Sequence, residues 1–169
     1  MCEAHPIRIL IVDDTTLFRK VLSDVVGALP GTVVVGTAAS GAIALRKLEK
    51  GGIDLVLLDV FMPELNGVET LKAIRARFPG VDVVMISGLS TRQTSTTIEA
   101  LELGALDFIR KPEETGPVES ARLLAEHLRP VLRMVDIRRL TRATRILRKV
   151  EPPAISPRSA VLPPRLSRV

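Results

Sequence analysis

Five short runs of Val, Ile and Leu set the tightest limit on how this chain can fold. They are Ile7–Val12, Val33–Val35, Asp54–Leu58, Val81–Ile86 and Leu106–Ile109, and each is nearly continuous in apolar residues rather than alternating. A strand with one wet face alternates apolar and polar residues, whereas a strand covered on both faces does not. These runs therefore predict parallel strands buried within a sheet. The intervening segments are helical and carry their own punctuation. Leu17, Val21 and Val25 repeat at i, i+4 and i+8 before Pro30-Gly31, and Ser40 is placed to cap a helix that stops at Gly51-Gly52. Asn66 with Glu69 three residues later predicts an N-cap, followed by a buried stripe of Leu65, Val68, Leu71, Ile74 and Phe78. Ile98, Leu101 and Gly104 mark the end of a fourth helix, and Pro117 opens a fifth in its first turn. Five βα units in series predict an α/β, doubly wound parallel sheet with helices on both faces.

The pattern changes near residue 128, which divides the chain into a domain over 1–128, a helical extension over 129–150 and a tail over 151–169. Residues 1–126 hold 13 Lys and Arg against 17 Asp and Glu, while residues 127–169 hold 11 against 2. A mildly acidic body thus carries a strongly basic end, which bears on partners rather than fold. Pro130 predicts a kink or break, since proline costs about 3 kcal/mol inside a helix. Beyond it Val131, Val135, Ile137, Leu140, Ala143, Leu147 and Val150 recur at helical spacing, with Arg133, Arg138, Arg139, Arg142, Arg145, Arg148 and Lys149 filling most of the remaining face. Two readings stay open: a surface helix with a solvated basic face, or an amphipathic helix docked on a partner, another protomer or an acidic surface. The last 19 residues hold five prolines and no periodicity, the composition of a linker or disordered end.

Composition removes several function classes. Aromatics are 2%, all Phe, too few for a base-stacking platform on single-stranded nucleic acid. The single Cys2 supports neither a disulfide framework nor a cysteine zinc site, and His5 and His127 are too scattered for a histidine metal centre. No apolar run approaches the ~18 residues of a membrane span, and no signal-peptide pattern opens the chain, so a cytoplasmic location is expected.

Sites in open parallel sheets form at the carboxyl ends of the strands, where strand order reverses. At those ends stand Asp13-Asp14 after strand one, Asp59 after strand three, Ser87 after strand four, and Lys111-Pro112 after strand five. Singly, each has an ordinary role: a helix cap for Asp13 or Asp14, a turn residue for Asp59, a cap for Ser87, a solvated charge for Lys111. Together they place three carboxylates, a hydroxyl and an ammonium at one rim. Carboxylates this close repel and raise one another's pKa unless a hard cation joins them, and Mg²⁺ suits two carboxylates plus waters. A metal, a lysine and a hydroxyl around one free carboxylate oxygen is equipment for phosphoryl transfer.

With these residues in hand, the chain resembles the receiver domain of two-component response regulators over residues 7 to about 128. The motifs are ILIVDD (9–14), LVLLDVFMPELNG (55–67), VVMISG (83–88) and DFIRKP (107–112). The resemblance implies the flavodoxin-like strand order 2-1-3-4-5, with Asp59 as phosphoacceptor. It implies Asp14, Asp59 and the backbone carbonyl of Phe61 as Mg²⁺ ligands, with Asp13 supporting the metal through its waters. Ser87 and Lys111 would hold the phosphoryl group, and Ser87 and Phe108 would form the switch, although Phe108 also suits a core ring beside strand five.

ISGLSTRQTSTTIEALELGALDFIRKP (86–112) and PIRILIVDD (6–14) are further similar to the receiver half of chemotaxis protein-glutamate methylesterases. In this chain Phe61 stands where an acidic residue is expected before Met-Pro, and Glu113 where a serine is usual; neither is a phosphorylation residue. That family adds an esterase domain with a Ser-His-Asp triad, which these residues do not supply, so methylesterase activity is expected only if the natural protein continues. A flavin carrier would need a phosphate-cradling loop, and Asp14-Thr15-Thr16-Leu17 holds no glycine. A haloacid-dehalogenase-type phosphatase needs a second Asp two residues after the nucleophile, where Thr15 and Phe61 stand instead. The expected partners are a histidine kinase and either a downstream protein or the chain's own output domain. A stand-alone receiver using its basic helix as output, on protein or nucleic acid, is the alternative.

Overall fold

The computed structural model describes residues 5–88, 93–112 and 116–150, with the side chains of 93, 94 and 146–150 outside that description. The 151–169 tail, Glu113, and the side chains of Arg148 and Lys149 thus lie outside the described residues. Strands β1 (Ile7–Val12), β2 (Thr32–Ala38), β3 (Leu55–Asp59), β4 (Asp82–Ser87) and β5 (Asp107–Arg110) alternate with helices α1 (Thr16–Ala28), α2 (Gly41–Glu49), α3 (Gly67–Arg77), α4 (Gln93–Glu102) and α5 (Pro117–Val150). All pairings are parallel and the order is β2-β1-β3-β4-β5, the doubly wound topology expected from the sequence.

Continuous apolar strands arise because each central strand feeds two cores. Ile9, Ile11, Leu55, Leu57, Val84 and Ile86 face a layer built with α1 and α5. Their neighbours Leu10, Val12, Val56, Leu58, Val83 and Met85 face a second layer with α2, α3 and α4. Helix starts follow the capping signals. Ser40 Oγ accepts from Ile43 N at 3.3 Å, and Asn66 and Glu69 form a reciprocal capping box. The buried stripe of α1 differs from the expected one. Leu17 is exposed, and Leu22, Val25, Val26 and Leu29 are buried, with Phe18 and Val21 packed against them. The i, i+4 spacing was right but its origin is one residue later, since Leu17 lies in the first turn beside the sheet's rim. Ile98 and Leu101 are likewise exposed, and Ala100 supplies the buried contact of α4.

The largest departure from expectation is α5. It passes through Pro130 without a break and reaches Val150 as one helix. Pro130 is exposed, while Leu128, Val131, Leu132 and Val135 on the opposite side are buried. Burying four such side chains is worth about 1.5–3 kcal/mol each, more than the ~3 kcal/mol cost of the proline.

Between Val135 and Ala143 the helix turns Arg138, Arg139 and Arg142, not its apolar residues, toward the body. Asp82, at the amino end of β4 and 1% exposed, accepts from Arg138 Nε at 3.0 Å and from Arg142 Nη2 at 3.0 Å. Arg142 also donates to Gly80 O at 2.6 Å. Arg139 donates to His5 O at 3.2 Å and lies 3.8 Å from Asp54, which Arg8 holds in a two-pronged contact. Burial would push the Asp54 carboxyl up, but the hydrogen bonds from Arg8 and the charge of Arg139 hold it below the usual range. Ile137, Leu140 and Ala143, expected on the docked stripe, face solvent instead. The acidic surface that receives this basic helix is the base of the chain's own sheet.

Candidate functional site

The site lies at the other end of the sheet, on the carboxyl termini of β1, β3, β4 and β5. Asp13 follows β1, Asp59 closes β3, Ser87 closes β4 and Lys111 follows β5. One carboxylate oxygen from each of Asp13, Asp14 and Asp59 lies within 4.8 Å of the others. Asp13 and Asp59 are buried and Asp14 is exposed. Lys111 Nζ lies 2.5 Å from Asp13 Oδ2 and 3.1 Å from Asp59 Oδ2, so a single ammonium bridges the two buried carboxylates. The structure therefore brings Asp13, Asp14, Asp59 and Lys111 into one cluster.

Local structure explains how each is held. Asp13 has a turn role as well, since its Oδ1 accepts from Thr15 N at 2.8 Å and its carbonyl accepts from Arg19 Nη1 at 2.6 Å. Asp59 Oδ1 accepts from Phe61 N at 3.4 Å, and the Phe61 side chain points into solvent. Ser87 is fully buried and its Oγ donates to Gly88 O at 3.1 Å. Ser87 O in turn accepts from Lys111 N at 2.7 Å, tying the end of β4 to the start of the lysine. Phe108 is half-buried against the layer formed with α3 and α4, the core-ring role weighed for it above.

Burial pushes the Asp59 carboxyl up to about 6; the charge of Lys111 opposes this and the charge of Asp13 adds to it. The donor set is all oxygen and carries more negative charge than one lysine balances. A hard divalent cation fits that chemistry.

Two supporting residues escape a reading of sequence alone. A Cβ on Gly67 would sit 2.2 Å from Asp59 O and 2.7 Å from Val60 Cα, so only glycine lets α3 begin against the end of β3. Gly67→Ala is expected to displace Asp59 and cost several kcal/mol of stability, read as a lowered midpoint in urea; an unchanged midpoint would show that α3 shifts freely. The second is Phe18, whose ring centroid lies 4.4 Å from Lys111 Nζ. Neither histidine approaches the rim: His5 sits at the base beside Arg139, and His127 is on the exposed side of α5.

Residues 9–122 match the family model of the response regulator receiver domain. The chain is 39% identical over 150 residues to a protein-glutamate methylesterase/protein-glutamine glutaminase from Desulfotalea psychrophila, covering 86% of this chain and 41% of that protein. A Nocardioides protein of the same description is 41% identical over 134 residues, covering 79% of this chain and 37% of its own length. This chain thus spans about two fifths of the methylesterases it matches. Among solved structures, the response regulator domain of Thermotoga maritima CheB superposes with a TM-score of 0.68 at 39% identity, covering 78% of this chain and 96% of that one. CheY from Borrelia burgdorferi, in a complex with CheX, BeF3 and Mg, gives 0.60 at 30% identity, over 73% and 90% of the two chains. The fold, the strand-end carboxylates and these matches place the chain in the response regulator receiver domain family of two-component signalling.

Proposed function

We propose that Asp59 accepts a phosphoryl group from the phosphohistidine of a histidine kinase or from a small acyl phosphate, and that the modified domain switches a partner-binding face. The observation that carries this reading is the Asp59 carboxylate set 3.1 Å from Lys111 Nζ within a three-carboxylate cluster. An Asp59 oxygen attacks phosphorus, the bond from phosphorus to the donor nitrogen or acyl oxygen breaks, and the donor leaves with that electron pair. Lys111 supports charge on the phosphoryl oxygens, Ser87 holds one of them, and Asp13 keeps Lys111 oriented. Mg²⁺, held by Asp14, Asp59 and the Phe61 carbonyl with Asp13 behind them, supplies charge neutralisation when bound. The Mg and BeF3 in the Borrelia CheY complex support this assignment, since BeF3 mimics a phosphoryl group.

Phosphorylation adds about −1.5 to −2 of charge, which draws Ser87 toward the site and gives Phe108 room to turn inward. The affected face is made by α4, β5 and α5. In the cytoplasm the domain acts as the regulatory part of a chemotaxis-type methylesterase, with the receiver over 1–128 and the 129–150 extension tied to its base through Arg138, Arg139 and Arg142. The stand-alone reading, with the basic helix as output, is less favoured. Arg138, Arg139 and Arg142 already serve Asp82 and Asp54, which leaves less charge for nucleic acid.

Acetyl phosphate with Mg²⁺ is expected to raise the intact mass by one phosphoryl group, and chelator to prevent it. Backbone amide shifts are expected to change from Ser87 through Lys111 and into α5. A mass gain that ignores chelator, or shifts confined to α1, would count against the reading.

A further inference from the structure

Lys111 is fixed at both ends in an unusual way. Its backbone N–H is tied to Ser87 O at 2.7 Å, and its ammonium bridges Asp13 and Asp59. An ammonium has three N–H donors, and two carboxylates occupy only part of its surroundings. On α1, the Phe18 ring centroid lies 4.4 Å from the same Nζ, and the lysine side chain is 18% exposed. Phe18 itself packs on the core layer formed by α1 and α5, so the ring has little freedom to move away. A cation within about 6 Å of an aromatic face is attracted by the ring's quadrupole, the more so when water is excluded.

We infer that Phe18 is a positioning residue for phosphoryl transfer: its ring holds the Lys111 ammonium at Asp59, where it meets the incoming phosphoryl oxygens. The inference rests on the phosphoacceptor reading of Asp59. The ring replaces water behind the ammonium with a face that attracts charge without competing as a hydrogen-bond acceptor. Lys111 therefore keeps its donors for oxygen, first those of Asp13 and Asp59, then those of the phosphoryl group. The flexible stem of a lysine would otherwise let the charge drift toward solvent. A purely structural Phe18 would matter through its volume, whereas a positioning Phe18 matters through the electron density of its ring face. That difference makes the two roles separable.

The test replaces Phe18 in the full chain with mono-, di- and trifluorophenylalanine by site-specific incorporation, alongside Phe18→Leu and Phe18→Tyr. Fluorination drains the ring face stepwise at nearly constant shape. The phosphorylation rate from acetyl phosphate at saturating Mg²⁺ is measured for each, with thermal midpoints and the Lys111 Cε proton shifts. Phe18→Leu is expected to slow phosphorylation roughly five- to thirty-fold, equivalent to about 1–2 kcal/mol at 1.36 kcal/mol per decade. Phe18→Tyr should stay within about twofold of wild type, since its ring face is comparable. The logarithm of the rate should fall steadily with fluorine number while midpoints and the ring-current shift of the Lys111 protons hold. A flat fluorine series overturns the inference even if Phe18→Leu is slow, because volume alone would then account for the loss. If wild type itself takes up no phosphoryl group, the phosphoacceptor reading fails as well; if wild type reacts and the series is flat, this inference fails alone.

Discussion

Asp59→Asn is expected to take up no phosphoryl group from acetyl phosphate and Mg²⁺ under conditions that fully modify the wild type. The amide offers no anionic oxygen to attack phosphorus, and no neighbour stands in for it. Asp13 is buried, bridged to Lys111 and bonded to Thr15, and Asp14 faces solvent. The same substitution is expected to stabilise the metal-free protein. Burial raises the Asp59 carboxyl to about 6, so its ionised form subtracts stability at neutral pH, and the deficit disappears as pH falls through 6 toward 3.8. That interval corresponds to about 3 kcal/mol, or a midpoint higher by roughly 5 °C or more at pH 8 in chelator. Mg²⁺ should narrow the gap by stabilising the wild type more than the variant, which keeps Asp13 and Asp14 but loses one carboxylate. A mass gain retained in the variant, or a wild type that melts higher than Asp59→Asn in chelator, would contradict the assignment of Asp59.

Asp82→Ala is expected to be the most damaging change away from the site. It strips Arg138 and Arg142 of their shared partner, and Arg75 nearby already has a buried Nε without a hydrogen-bond partner. Breaking a fully buried ion pair costs about 3–5 kcal/mol, but these guanidiniums are partly exposed and can turn to water, so about 2–3 kcal/mol is expected. The loss should be local as well as global. Amide exchange should accelerate over residues 138–145, while the half of α5 buried through Leu124, Leu128, Val131 and Val135 keeps its protection. Because Asp82 is almost fully buried, moderate salt should not mimic the substitution. Unchanged exchange beyond residue 138 would show that the helix holds without its arginines.

The sheet and the site were legible in the sequence for the same reason. Parallel strands buried on both faces leave continuous apolar runs, and the polar residues that end them mark the rim, so Asp13, Asp14, Asp59, Ser87 and Lys111 stand out together. The caps at Ser40 and Asn66 were legible because they act within three residues. What escaped notice depends on contacts distant in the chain. Asp54 and Asp82 stand within the runs read as strands three and four, and nothing in their spacing announces arginines more than 50 residues later. Periodicity was right for Val131 and Val135, which are buried, and wrong beyond them. It located the stripe of Ile137 and Leu140 but could not show that the buried Asp82 and the partly buried Asp54 outbid it for the body of the domain. Gly67 and Phe18 were invisible for a related reason, since a glycine without a Cβ and a core phenylalanine both have ordinary uses.

The seating of α5 also settles how the domain would behave as a mechanical part. From Ala121 to Val135 the helix is held by apolar burial, and from Arg138 to Arg142 by salt links. Past Arg142 the described side chains, Ala143, Thr144 and Arg145, are exposed. A beam supported at two places bends little between them, so the helix up to Arg142 keeps the orientation of the whole domain rather than swinging on a hinge at Pro130. Spin labels at positions 145 and 47 should then report a narrow distance distribution, which Asp82→Ala should broaden.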